Sequence, residues 1–193
     1  MFVICGSLVG VFIKFYKGVD TLLVNVWRNE IGIIYLTPLA LWEIILNRDM
    51  LGEFPFQRGL IQICINGLLS ALANFSFTQA ASMTELSHAL TLKNLCGIVL
   101  LIIDIFTRKR TSVFTKKGAI IISVGALLLY FGNWSFDQTT NFFWGNIWGL
   151  ISLVCWTLLL LNTNQLLMLL PPCFIICVQA YLALGFTFLV YLI

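Results

Sequence analysis

Lys14 and Arg28 are cations, His88 is the chain's one imidazole, and Asn25, Asn29, Asn66, Ser70, Asn74 and Thr91 carry amides and hydroxyls, yet all of them stand inside apolar stretches. A charge at the centre of a bilayer costs about 2.5–3.5 kcal/mol on insertion scales, so an ionisable group there calls for a reason. One reason is a polar cavity: Arg28 and Lys14 would draw a negative or strongly polar solute, the amides and hydroxyls would exchange hydrogen bonds with it, and His88 would relay protons. The other is structural. Amides and hydroxyls also hold helices together by hydrogen bonds, a lysine near a span end can snorkel to the interface, and His88 can be a hydrogen-bonded core residue.

Helical spacing arranges these residues into stripes, since each residue advances the helix by about 100°. Asn25, Arg28, Asn29 and Gly32 fall on one arc, with Glu30 nearly opposite. Asn66, Ser70, Asn74 and Thr78 form an i, i+4 series, and Ser7, Gly10 and Lys14 share a face. Thr84, Ser87, His88, Thr91 and Asn94 occupy a further arc, from which Lys93 projects away. Four helices with one polar stripe each suit a water-accessible centre, because lipid-facing stripes would leave donors and acceptors unsatisfied. Arg28→Ala is therefore expected to abolish transport, and Lys93→Ala to do much less.

Catalytic arrangements are missing from the sequence. It contains no Gly-x-Ser-x-Gly, no His-Glu-x-x-His, no phosphate-cradling glycine loop and no Ser/His/Asp set around His88, which reads as a non-enzyme. Glu85-x-x-His88 has the spacing of a di-iron ligand pair, but such a site needs a second copy of the motif, so no metal or other cofactor is expected. The six cysteines lie singly in apolar runs, apart from Cys173 and Cys177 at a helical packing spacing, and read as small buried apolar residues.

The elements that must position these side chains follow from composition. Of 193 residues, 60% are hydrophobic and only 10% charged, against about 25% charged in a soluble domain. A soluble domain of this size buries about 70% of the surface of its unfolded chain and could not hide so much apolar area. A soluble globule, a disordered chain and a nucleic-acid module are excluded, and the formal charge of +3 is too small to suggest nucleic acid as a partner. The partner implied is the lipid bilayer. A span needs about 20 mostly apolar residues, and seven runs qualify: 1–16, 21–46, 59–80, 84–106, 115–133, 143–161 and 172–193. They are continuously apolar, unlike the alternating strands of a membrane barrel. The fold class expected is all-α, a polytopic transmembrane helix bundle. Gly6-x-x-x-Gly10 and Gly145-x-x-x-Gly149 would let helices approach closely.

The connections orient the bundle. Residues 107–117 (TRKRTSVFTKK) carry Arg108, Lys109, Arg110, Lys116 and Lys117, whereas 133–141 has no Lys or Arg and no charged residue follows Asp137. The positive-inside rule puts the basic loop, the loop with Arg48 and Arg58, and the N-terminus in the cytoplasm of a multi-pass integral membrane protein. Of the two glycosylation sequons, Asn74-Phe-Ser lies inside a span and Asn133-Trp-Ser close to the membrane.

A shift of about 150 residues sets Cys5-Gly-Ser-Leu…Lys14 on Cys155-Trp-Thr-Leu…Asn164, a faint internal repeat. With Gly6…Lys14 in the first run, Arg28 and Pro38 in the second, residues 118–129 (GAIIISVGALLL) in the fifth and Trp144-Gly-Asn-Ile-Trp-Gly…Trp156 after it, the chain resembles the EamA branch of the drug/metabolite transporter superfamily. The resemblance implies two five-helix repeats of inverted topology with the solute held near the midplane between them. Residues 1–133 would be the first repeat, 134–142 a non-cytoplasmic linker and 143–193 two helices of a second. About three helices of that repeat would be missing, and a second copy or a partner subunit would complete them. The function implied is transport of a small polar or anionic solute by alternating access. The alternative is a truncated, non-transporting relative that acts as a membrane assembly or interaction partner.

Overall fold

A computed structural model describes residues 21–47, 56–107 and 140–192, with isolated helical positions between 117 and 128. Every element among them is an α-helix: α1 (Thr21–Leu46), α2 (Phe56–Met83), α3 (Leu86–Asn94), α4 (Cys96–Phe106), α5 (Thr140–Leu166) and α6 (Pro172–Leu192). Helices are forced by the solvent, because only internally hydrogen-bonded backbone survives in hydrocarbon. Five stretches are long and apolar enough to cross a membrane: Leu23–Leu46, Gly59–Met83, His88–Phe106, Phe143–Leu166 and Pro172–Tyr191. These correspond to five of the seven expected runs. The run 1–16, with Lys14 and Gly6-x-x-x-Gly10, lies outside the described residues, as do most of 115–133, residues 108–116 of the basic loop and Asn133.

Two boundaries differ from expectation. α2 and α5 outrun the expected 59–80 and 143–161, and α5 carries the polar sequence Asn162-Thr-Asn-Gln within its helix. Asn162, Thr163 and Gln165 find partners on α2, described below, so the polar run does not end the helix. The expected fourth run is divided at Leu95, whose N–H is shared between the carbonyls of Thr91 and Leu92 at 3.1 and 3.3 Å. Such sharing tightens a helix end.

The chain divides into two compact units, one including Ser76–Thr157 and the other made of Val19–Phe75 with Leu158–Ile193. In the first, Phe77, Ala80, Ala81 and Ala89 form a buried cluster against which Leu86, Leu90 and Trp148 pack. Both glycines of Gly145-x-x-x-Gly149 serve close packing: a Cβ on Gly145 would strike Thr84 and Met83, and one on Gly149 would strike Leu92. In the second unit α1 packs along α6, Leu166, Leu170 and Ile175 make the buried cluster, and Gly67 lies against Leu182.

Burial is inverted relative to a soluble protein. Ile34, Tyr35 and Trp42 are 70%, 71% and 67% exposed, while Asn66, Ser76 and Thr78 are each 1% exposed. Large apolar side chains on the outside and amides and hydroxyls inside match a bilayer as solvent. The cysteines depart from expectation: Cys177 is buried, but Cys64 is exposed and Cys96, Cys155 and Cys173 are half-buried, which in lipid costs a small apolar side chain nothing. All five described cysteines are free thiols.

Candidate functional site

In the second unit α1 contributes Asn25 and Asn29, both buried one turn apart, while Glu30 is exposed as its opposite position on the helix requires. The side chain of Arg28 lies outside the described residues. Asn29 Nδ2 is buried without a hydrogen-bond partner. From α2 come Asn66, Ser70 and Asn74, all buried, with Asn74 Nδ2 donating to Ser70 Oγ at 3.5 Å. Asn66 is the hub of a network with α5. Its Nδ2 donates to Thr163 Oγ1 at 3.0 Å, and its Oδ1 accepts from Asn162 Nδ2 at 2.7 Å. Asn162 Nδ2 also reaches the carbonyl of Gln62 at 2.9 Å, and Gln62 Nε2 donates to Gln165 Oε1 at 3.3 Å.

The same unit ties α1 to α6. Thr37 Oγ1 donates to the Ile33 carbonyl at 2.7 Å, which leaves the Tyr181 hydroxyl, 3.1 Å away, to donate to Thr37. Glu43 Oε2 accepts the N–H of Cys173 at 2.7 Å and of Phe174 at 3.2 Å.

In the first unit His88 and Thr91 are buried at 2% and 4% exposure, and Thr91 Oγ1 has no hydrogen-bond partner. Asn94, expected on the same arc, is exposed at the end of α3, and the side chain of Ser87 is not among those described. Lys93 changes most from expectation. It does leave the His88–Thr91 arc, but not for lipid: its Nζ lies 4.8 Å from the centre of the Phe77 ring and 4.4 Å from that of Trp156. Both distances suit cation–π attraction. The Trp156 Nε1 donor is buried and has no acceptor.

The sequence-named residues thus fall into two groups: Asn25, Asn29, Asn66, Ser70 and Asn74 in the second unit, and His88 and Thr91 in the first. The rings that Lys93 meets, Glu43, and Gln62 with the 162–165 run were not singled out from sequence. A signal existed for the last, because Asn-Thr-Asn-Gln directly follows a run of leucines without a breaker. None existed for Lys93, since Phe77 and Trp156 are far away in the chain. Among the described residues no three His, Cys, Asp or Glu side chains group as a metal site would need; Glu85 is exposed at the N-cap of α3.

No family model, curated protein or solved structure matches this chain. Its chemistry has to be read from its own residues.

Proposed function

We propose that the protein is a transporter-like multi-pass membrane protein of the EamA kind, which carries a small polar or anionic solute by alternating access. The observation that carries this reading is a pair of buried polar atoms that the first unit leaves without partners, Thr91 Oγ1 and Trp156 Nε1. Polar atoms placed only to hold helices together are paired, because an unpaired one loses its water for nothing in return. Unpaired atoms on membrane-length helices instead suit a solute that arrives and leaves. Lys93, whose ammonium lies over the Phe77 and Trp156 rings of the same unit, brings a positive charge that an anionic solute would seek. The positive-inside rule assigns the basic loop to the cytoplasm.

A second reading, a non-transporting assembly or interaction partner, is favoured by one observation. The network around Asn66 is paired throughout among Gln62, Asn162, Thr163 and Gln165, as a purely structural seam would be.

Purified protein in proteoliposomes decides between them. Counterflow of labelled small carboxylates, phosphate esters and neutral polar solutes is expected to show saturable flux of at least one class, reduced at least tenfold by Thr91→Val. Absence of flux for every class, in protein that is folded and inserted, favours the assembly reading.

A further inference from the structure

The N-terminus of α6 has no local cap. Its first helical hydrogen bond runs from Ile175 N–H to the carbonyl of Pro171 at 3.1 Å, which makes Pro171 the N-cap and Pro172 the first helical residue. Proline suits the first position because its missing N–H would be unpaired there anyway. At the N-cap, however, it offers no side-chain oxygen for the next donors, the N–H groups of Cys173 and Phe174. Those are the groups that Glu43 Oε2 accepts, at 2.7 and 3.2 Å, from a helix 130 and 131 positions earlier in the chain. A carboxylate there also meets the positive end of the helix dipole. Glu43 therefore does in trans what Ser, Thr or Asp ordinarily does locally.

The segment that carries Glu43 is separated from the rest of α1 by Pro38. Proline cannot donate to the carbonyl four residues back and clashes with it, so an interior proline is a site where a helix bends. Beyond it, residues 39–46 turn most of their side chains outward. Ala40 is buried and Glu43 and Ile44 half-buried, while Leu39, Leu41, Trp42, Ile45 and Leu46 are exposed. Within the segment the last turn is firm, because Asn47 donates both its backbone N–H, at 3.0 Å, and its Nδ2, at 3.1 Å, to the Glu43 carbonyl. On the near side of the proline, Thr37 keeps its tie to Tyr181.

A bend point, a stiff tip beyond it and one polar tie at that tip together make a movable part. We propose that residues 39–46 of α1 form a gate that pivots at Pro38 and is latched shut when the Glu43 carboxylate caps α6. Opening exchanges two charge-assisted hydrogen bonds for bonds to water at the membrane edge, while the contacts of Thr37 stay in place. As a step of alternating access this rests on the transport reading above, but the latch itself does not.

Two measurements test it separately. With native cysteines replaced, spin labels at the exposed positions Leu46→Cys and Met168→Cys report the latch in substrate-free protein. Glu43 as it stands is expected to give one main distance. Glu43→Ala is expected to add a second, longer population, which Pro38→Ala in the same background suppresses by stiffening the pivot. An unchanged distribution in Glu43→Ala overturns the latch whether or not the protein transports anything. In a background that keeps only Cys173, a Glu43→Cys variant joined to it by a short bis-methanethiosulfonate crosslinker, which forms a reducible disulfide at each thiol and releases sulfinate, tests the gate. Flux is expected to fall at least tenfold and to return on reduction. Equal flux in the crosslinked and reduced protein overturns the gate, whereas a protein that moves no solute in any form counts against the transport reading alone.

Discussion

At the scale of single residues, Lys93 shows how position and partner decide what a charge does. A lysine at the bilayer centre costs about 2.5–3.5 kcal/mol; Lys93 is half-buried, and its contacts with Phe77 and Trp156 return about 0.5–2 kcal/mol of that kind of cost. Lys93→Met is therefore expected to change stability by no more than about 1 kcal/mol while reducing anionic-solute flux at least tenfold. Unfolding in mixed detergent beside a flux assay checks both, and a large loss of stability would make Lys93 a packing residue. Asn66 belongs to the opposite case. A double-mutant cycle of Asn66→Leu with Asn162→Leu is expected to give a coupling of about 0.6 kcal/mol, the usual size for hydrogen bonds between membrane helices, and no coupling would deny the network its structural role. The stripes were legible from spacing: Asn66, Ser70, Asn74 and Thr78 are all buried, as an i, i+4 series on a helix must be if its outer face meets lipid. Spacing alone places Lys93 off the His88–Thr91 arc, because its angle on α3 says which way it leaves the helix, and not which rings it meets.

At the scale of elements, close packing and helix ends carry the information. Gly149→Leu drives a side chain into Leu92 and is expected to cost about 1–3 kcal/mol, as overpacking does. Gly185 has nothing within 4 Å of where a Cβ would stand, so Gly185→Ala is expected to be neutral or stabilising by up to about 1 kcal/mol. Equal effects of the two, measured by unfolding in sodium dodecyl sulfate, would remove the packing role of Gly145-x-x-x-Gly149. That motif could be read directly, because only glycine at helical spacing allows backbones so close. The end of α5 could not, since Asn162, Thr163, Asn164 and Gln165 look like a loop until Gln62 and Asn66 stand opposite.

At the scale of the molecule, five membrane-length helices among the described residues, with large apolar side chains exposed along them, make this an integral multi-pass protein. It is expected to stay in membranes through an alkaline carbonate wash, and release into the supernatant would contradict the bilayer assignment. Thiol-reactive impermeant probes at a cysteine placed between Arg110 and Lys116 are expected to react only from the cytoplasmic side. The sequence by itself determined the solvent, the helical class and the polar stripes, because these depend on composition and on spacing within one helix. Only the tertiary structure decided which polar groups are paired. Asn66 meets Thr163 97 positions along the chain, and Glu43 meets Cys173 130 positions along. Local pattern holds no record of such partners: they are selected by how whole helices pack, where an unpaired group in a low dielectric is costly enough to choose the arrangement.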